Sequence, residues 1–395
     1  MTDLDRTVDF LRWLIRTPGL PGEEGETARL VQAEMEDLGY DEAWLDDAGS
    51  VVGLVRGRAR HPAVMLCTHL DHVDVGDPER WPHPPFGAEV ADGRVWGRGA
   101  VDIKGPLAAQ VHAAGRLTAA GERPPADVYV SAVVQEEIGG LGARHMAESL
   151  APDLVVIGEP SSNELRRGHR GRVELEVHVA GKSVHASAPE RGVNPLYVLA
   201  GFLERLPDVE LPSHPELGAT TVAPTLFRTD QTSRNVVPGE VWLALDVRTG
   251  PDTGPEDLRA LFAPLLEEAV AAVPGASGEV RVPSGLRRSW RGVEREMPAV
   301  NPSWIRAEDD PAVTTAGDVL EGVLGARPPV GLWRFATDGG HFVAHGSTVI
   351  GIGPGDETLA HTVNESVEVA EIGEALEIYG ALARAWPPAW EAARG

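Results

Sequence analysis

The stretch HPAVMLCTHLDHVDVGD (61–77) decides the fold. Its first half, HPAVMLCT (61–68), is an apolar run of strand length without polar alternation. That is the pattern of a strand covered on both faces, as in a parallel sheet flanked by helices. The run ends abruptly in His69, Asp71, His72, Asp74 and Asp77. In open parallel sheets ligands gather beyond the carboxyl ends of the strands, so the polar half of the stretch marks a candidate site.

Working outward, two more stretches repeat the arrangement. DVYVSAVVQ (127–135) leads into Glu136 and Glu137, and DLVVIGEP (153–160) carries Glu159 at its end. STVIGIGPG (347–355) reads as a further strand, with a short loop to His361. Between the strands, KGPLAAQVHAAGRLTAAG (104–121) is helical and closed by glycine, and a short helix fits 140–150. Upstream, Leu4, Val8, Leu11 and Ile15 share one helical face, as do Ala28, Val31, Met35 and Leu38, with the breaker TPGLPGEEG (17–25) between them.

The middle of the chain changes character. RVELEVHVAG (172–181) alternates Val173, Leu175, Val177 and Val179 with polar residues, as in a sheet with one solvated face. A helix near 194–206, strands near 220–227 and 240–248, a helix over 255–273 and a strand near 278–283 follow. That β-α-β-β-α-β order is the split βαβ, ferredoxin-like arrangement. The expected architecture is α/β: a mainly parallel-sheet catalytic domain with helices on both faces (1–167 and 288–395), plus an inserted α+β domain (168–287).

The chain has 395 residues and a net charge of -25, which disfavours nucleic acid unless a basic stripe intervenes; the densest basic run, RRGHRGR (166–172), is short. No apolar run is long enough to span a bilayer, and the acidic, amphipathic start lacks the look of a secretion signal, so the expected location is the cytoplasm. The single cysteine, Cys67, excludes an internal disulfide and any cysteine-rich metal site; it lies inside an apolar run and reads as a buried strand residue.

The strand ends bring together His69, Asp71, Glu136, Glu137, Glu159 and His361, and GRVWGRGAVDIKG (93–105) adds Asp102 just before a helix. Five carboxylate and imidazole ligands suit two borderline divalent ions with one carboxylate bridging. Two ions about 3.5–4 Å apart polarise a carbonyl and supply hydroxide at neutral pH. Successive side chains point to opposite sides, so one of the adjacent glutamates suits a metal and the other a general base. Taken singly each residue has an ordinary explanation, such as a helix cap for Asp102. Competing motifs are weak: Gly97 and Gly99 suggest a dinucleotide fingerprint, but Asp102 stands in the third glycine's place, and no GxSxG or HExxH is present.

HLDHVDVGD (69–77), WPHPPFGAEVADGRVWGRGAVDIKG (81–105), QEEIGG (135–140), GEPS (158–161), GKSVHASAPERGVNP (181–195) and AHTVNESV (360–367) resemble, in order, the di-zinc family of acetylornithine deacetylase, succinyl-diaminopimelate desuccinylase, aminoacylase and glutamate carboxypeptidase. The resemblance implies two Zn²⁺ per subunit, with Co²⁺ or Mn²⁺ as substitutes. Asp102 would bridge them, His69 and Glu159 completing one site and Glu137 and His361 the other. Glu136 would be the general base, and Asp71 would orient the His69 ring. The Asp102–Ile103 peptide bond is expected to be cis. The inserted domain would be a lid and homodimer interface, from which His185 reaches the partner's site to stabilise an oxyanion. Asn235 and Arg248 match residues that hold the substrate carboxylate, and Thr337, Asp338 and Gly339 a loop lining the pocket. The implied substrate is a small N-acylated amino acid, with a dipeptidase or carboxypeptidase as the alternative and a non-catalytic binding protein as the distant one. His72 and Asp74 depart from the family's H-x-D-V-V-P, as candidates for substrate discrimination or as ordinary loop residues.

Overall fold

The computed structural model describes residues 2–119, 121 and 123–394. The chain forms two compact units, Met1–His169 with Arg287–Arg295 and Trp304–Gly395, and Arg170–Leu286 with Glu296–Ser303. The division falls slightly later than the expected 167/168 boundary. The return is not a single crossing, because 296–303 rejoin the second unit through Val300–Asn301, which pairs with Gly171–Ala180.

The first unit is built on a nine-stranded sheet in the order Glu42–Leu45, Val51–Val55, Ala126–Val133, Ala59–His69, Leu154–Ile157, Thr348–Gly351, Leu165–His169 and Trp304–Ile305, with Val330–Trp333 also on Leu165–His169. The central four strands run parallel. The hairpin at one edge is antiparallel and joins the sheet beside Ala126–Val133; its short strands carried no clear sequence signal. In the strand Ala59–His69, Met65 and Cys67 pack with Ala143, Met146 and Phe342 from one helical layer. Val64 and Leu66 are equally buried and point to the opposite face, where Gly105–Ala119 and Val369–Arg394 lie. Two covered faces explain the uninterrupted apolar run. Each such side chain contributes about 1.5–3 kcal/mol when fully buried.

At the N-terminus, Asp3–Arg16 starts with a capping box between Thr2 and Asp5. Its buried stripe is Thr7, Phe10, Leu11, Leu14 and Ile15, rotated from the face read in the sequence, because Leu4 and Val8 are only partly covered. Gly25–Asp37 forms the second helix.

The second unit has a four-strand path, Thr221–Thr229, Glu240–Thr249, Gly171–Ala180 and Ser277–Arg281, all pairs antiparallel. Numbered in chain order this is 2-3-1-4, the split βαβ arrangement. Val173, Leu175, Val177 and Val179 pack with Phe202 and Phe262 of the helices Pro195–Arg205 and Pro255–Ala271. The opposite face carries ion pairs, including Arg172–Asp246 and Arg281–Glu176. No helix among the described residues is long and apolar enough to cross a membrane.

Candidate metal centre and active site

Three strands end at residues of the centre, and two turns supply the rest. His69 is the last residue of Ala59–His69. After Ala126–Val133 the chain turns through Gln135 in the left-handed region, places Glu136–Ile138 in a single 3-10 turn and leaves through Gly139 and Gly140, both at positive φ. Gly140 is required here: a Cβ would lie 2.4 Å from Asp338 Oδ1 and 2.7 Å from His341 Nε2. Glu159 follows Leu154–Ile157. Asp102 lies in the turn Ala100–Lys104 that opens the helix Gly105–Ala119, and its bond to Ile103 is cis. His361 holds a left-handed backbone, φ 63°, which is costly for a non-glycine residue.

The donors converge as two triads that share Asp102. In one, His69 Nε2 lies 3.0 Å from Asp102 Oδ1 and 3.6 Å from Glu159 Oε1. In the other, His361 Nε2 lies 3.1 Å from both Asp102 Oδ2 and Glu137 Oε1. Within each triad the candidate ligand atoms lie within 4.8 Å of one another. The two oxygens of one carboxylate thus face different imidazoles, the arrangement a bridging ligand requires.

The charge balance fits cations as well. Glu159 and Glu136 are pushed well above the usual carboxylate range, by burial first and then by the charges of Asp102 and Asp338 respectively. Glu137 rises for the same reasons, burial and then Asp102. Burial also opposes ionisation of Asp102, but hydrogen bonds from His361 and His69 outweigh it and hold its carboxyl low. The His361 imidazole is pushed up to about 10 by its hydrogen bonds to Asp102 and Glu137. A proton on each Nε2 therefore satisfies the same oxygens that divalent ions would neutralise. The donor set of nitrogen and oxygen without sulfur suits zinc-like ions.

Asp71 does more than its place beside His69 suggests. Its Oδ1 lies 3.5 Å from His69 Nδ1, whose nearest partner is the Asp71 carbonyl at 3.0 Å. Both carboxylate oxygens also accept backbone hydrogen bonds, from Glu136 N and Glu137 N, each at 3.1 Å. One buried residue thus meets the His69 ring, most closely through its carbonyl, and the two adjacent glutamate amides through its carboxylate.

The other candidates divide. Thr337 and Gly339 are buried; Thr337 N donates to His169 Nε2 at 3.1 Å, and Gly339 packs against Trp304. Asp338 is buried too, its carboxyl pushed up to about 7 by burial. His72 is buried, accepting from Gly19 N at 3.0 Å through Nε2, and Asp74 Oδ1 accepts from Gly76 N within its own turn. Both are loop-forming residues. In the second unit, His185 and Asn235 come together: His185 pairs with Val236, and Ala186 N donates to Asn235 O. Arg248 stands on Glu240–Thr249, its Nε 2.7 Å from Asp246.

Glu24 and Lys104 are buried charged residues that no local sequence pattern marks. Glu24, from the first breaker, is fully buried and accepts from Gly22 N and Gln135 N. Lys104 is fully buried, its ammonium donating to the Leu14 and Thr17 carbonyls at the end of the first helix, with its pKa lowered to about 7 by burial. The basic residue beside Asp102 was visible in the sequence; its inward direction was not.

A sheet with a parallel centre, whose strand ends and neighbouring turns assemble two histidine–carboxylate triads around one shared aspartate, defines a hydrolase of the metallopeptidase and amidohydrolase class. Residues 65–385 match peptidase family M20/M25/M40, and the chain belongs to that family. It is 30% identical over 384 residues to the uncharacterized protein YgeY of Escherichia coli (strain K12), covering 95% of this chain and 93% of that one. It is also 30% identical over 394 residues to the succinyl-diaminopimelate desuccinylase of Phenylobacterium zucineum (strain HLK1), covering 95% and 97%. Among solved structures, the M20 family metallo-carboxypeptidase Sso-CP2 from Sulfolobus solfataricus shares the fold, with a TM-score of 0.76 at 19% identity over 98% of this chain and 100% of that one.

Proposed function

We propose that this protein hydrolyses the amide bond of an N-acyl amino acid, next to a free carboxylate. The observation that carries the reading is the pair of triads meeting at Asp102, with a further carboxyl, Glu136, beside them in neither triad. In this reading His69, Asp102 and Glu159 hold one Zn²⁺, and Asp102, Glu137 and His361 the other; Co²⁺ or Mn²⁺ suits the same donors. Ions of this kind polarise a scissile carbonyl and acidify water. Glu136 takes a proton from the attacking water at its carboxylate and returns it to the leaving nitrogen. Burial, and then the charge of Asp338, raise its proton affinity well above the usual carboxylate range, the sense that accepting a proton from water requires. Asp71 keeps His69 and the two glutamates aligned.

The second unit is proposed as the lid and homodimer module. Leu226 (62% exposed) and Phe227 (49%) on its edge strand, with Tyr197 (70%) on Pro195–Arg205, support an apolar interface there. Ser187 N donates to His185 Nδ1, so the neutral ring carries its proton on Nε2, the form able to stabilise an oxyanion in a partner's site. Asn235 and Arg248 are proposed to hold the substrate carboxylate, which at Arg248 competes with Asp246. Thr337, Asp338 and Gly339 are proposed to shape the pocket from behind.

A dipeptidase or carboxypeptidase is the second reading, supported by the same donors and carboxylate clamp. A panel of N-acyl amino acids and dipeptides, assayed with protein reloaded with Zn²⁺, separates the two. Glu136→Gln is expected to retain metal and lose about 10²–10⁴-fold in rate. Hydrolysis at the wild-type rate by that variant overturns the mechanism.

A further inference from the structure

Beside the donors and their immediate neighbours lies a buried ion pair, Arg98 and Glu365, with no part in the proposed hydrolysis. Arg98 is 2% exposed and Glu365 1%, and Arg98 Nη1 donates to Glu365 Oε2. Glu365 Oε1 accepts two successive backbone N–H groups, those of Val101 at 3.1 Å and Asp102 at 3.2 Å. Its own carbonyl accepts from Gly97 N at 3.1 Å. Arg98 reaches two further loops: Nη2 donates to the Asp74 carbonyl at 3.2 Å, and Nη1 approaches the Thr362 carbonyl at 3.5 Å. The Trp81 ring lies 4.9 Å from the guanidinium, and Trp81 Nε1 donates to Val75 O at 2.9 Å.

One charge pair thus ties the turn bearing Asp102, the loop after His69 and the residue following His361. Desolvation largely offsets the attraction of a buried pair, so net stability is not its main contribution. Its contribution is direction. Two adjacent amides held by one carboxylate oxygen fix the peptide planes on either side of Val101, and hence the direction in which Asp102 leaves the backbone.

We propose that Arg98 and Glu365 are positioning residues that set the Asp102 carboxylate between the two triads without touching an ion or substrate; this rests on the two-ion reading. In Glu365→Gln the side-chain NH2 must face either Arg98 or the two amides, so one side of the clamp opens.

The test strips wild type, Asp102→Asn, Glu365→Gln, Arg98→Lys and the double variant Arg98→Met/Glu365→Leu with a chelator. Each is then melted metal-free, titrated with Co²⁺ by calorimetry, and examined by visible Co²⁺ absorption. Wild type is expected to bind two Co²⁺ and Asp102→Asn to lose that stoichiometry. Glu365→Gln is expected to bind at least one Co²⁺ about 10–100-fold more weakly, with a changed spectrum. The double variant is expected to regain melting temperature but not Co²⁺ affinity. Arg98→Lys keeps the charge but cannot reach both carbonyls, and is expected to weaken binding even if Glu365→Gln does not fold. Wild-type affinity and spectrum in Glu365→Gln or in Arg98→Lys, or recovery of affinity in the double variant, overturns the proposal. Failure of wild type itself to bind two ions defeats the two-ion reading instead.

Discussion

Replacing Asp71 with asparagine keeps the volume of a fully buried side chain and changes only its charge and hydrogen bonding. Both carboxylate oxygens accept backbone N–H groups, from Glu136 and Glu137 at 3.1 Å each. An asparagine amide must turn its NH2 toward one of them, setting donor against donor. The loss of one charge-assisted hydrogen bond costs about 1.5–3 kcal/mol, and the survivor weakens to a neutral bond, worth roughly another 1 kcal/mol. Part of this is returned, because Asp71's charge is the second cause, after burial, that pushes Glu24 up to about 7. The net expectation is about 2–3 kcal/mol, or a fall of roughly 2–5 °C in the melting temperature of the metal-free protein at this chain length. With the carboxylate 3.5 Å from His69 Nδ1 neutralised and one glutamate amide released, metal binding is also expected to weaken about 10–100-fold. Thermal melts followed by circular dichroism and calorimetric Zn²⁺ titration read the two effects separately. An Asp71→Asn protein that melts within 1 °C of wild type (~0.6–0.8 kcal/mol) and binds Zn²⁺ normally refutes the clamp.

Glu24→Gln gives a pH test. A buried carboxyl raised from 4.5 to about 7 holds its proton in the folded state while the unfolded chain has released it, so wild-type stability falls as pH rises across that window. The variant is expected to lose this slope and to gain up to roughly 3 kcal/mol on wild type above pH 7, read by urea unfolding at several pH values; parallel curves sink the assignment. Gly140→Ala combines a left-handed φ of 72° with a Cβ 2.4 Å from Asp338 Oδ1. It is expected to lower stability by about 1–3 kcal/mol and to displace Glu136, lowering the hydrolysis rate, and a silent substitution contradicts the packing. Cys67 is buried and its thiol is pushed up to about 12 by burial, so iodoacetamide is expected to label the protein only in denaturant, as mass spectrometry would show.

Local sequence determined a good deal of this protein. The apolar run 61–68 required two covered faces, the alternation at 172–181 required one, and both requirements are periodicities that a short window contains. The same locality placed His69, Glu136, Glu137 and Glu159 at strand ends. It could not say that Asp71 would accept from two amides on a neighbouring strand's loop, or that His72, equally polar on paper, would turn inward to Gly19. Nor could it assign Glu24, Lys104, Arg98 or Glu365, whose partners lie far along the chain. A buried charge takes its meaning from what surrounds it in space, and only the tertiary structure decides whether a carboxylate meets an amide, a guanidinium or another acid. The ends of the strands are legible in short windows of sequence; the fold chose the partners that hold the site in place.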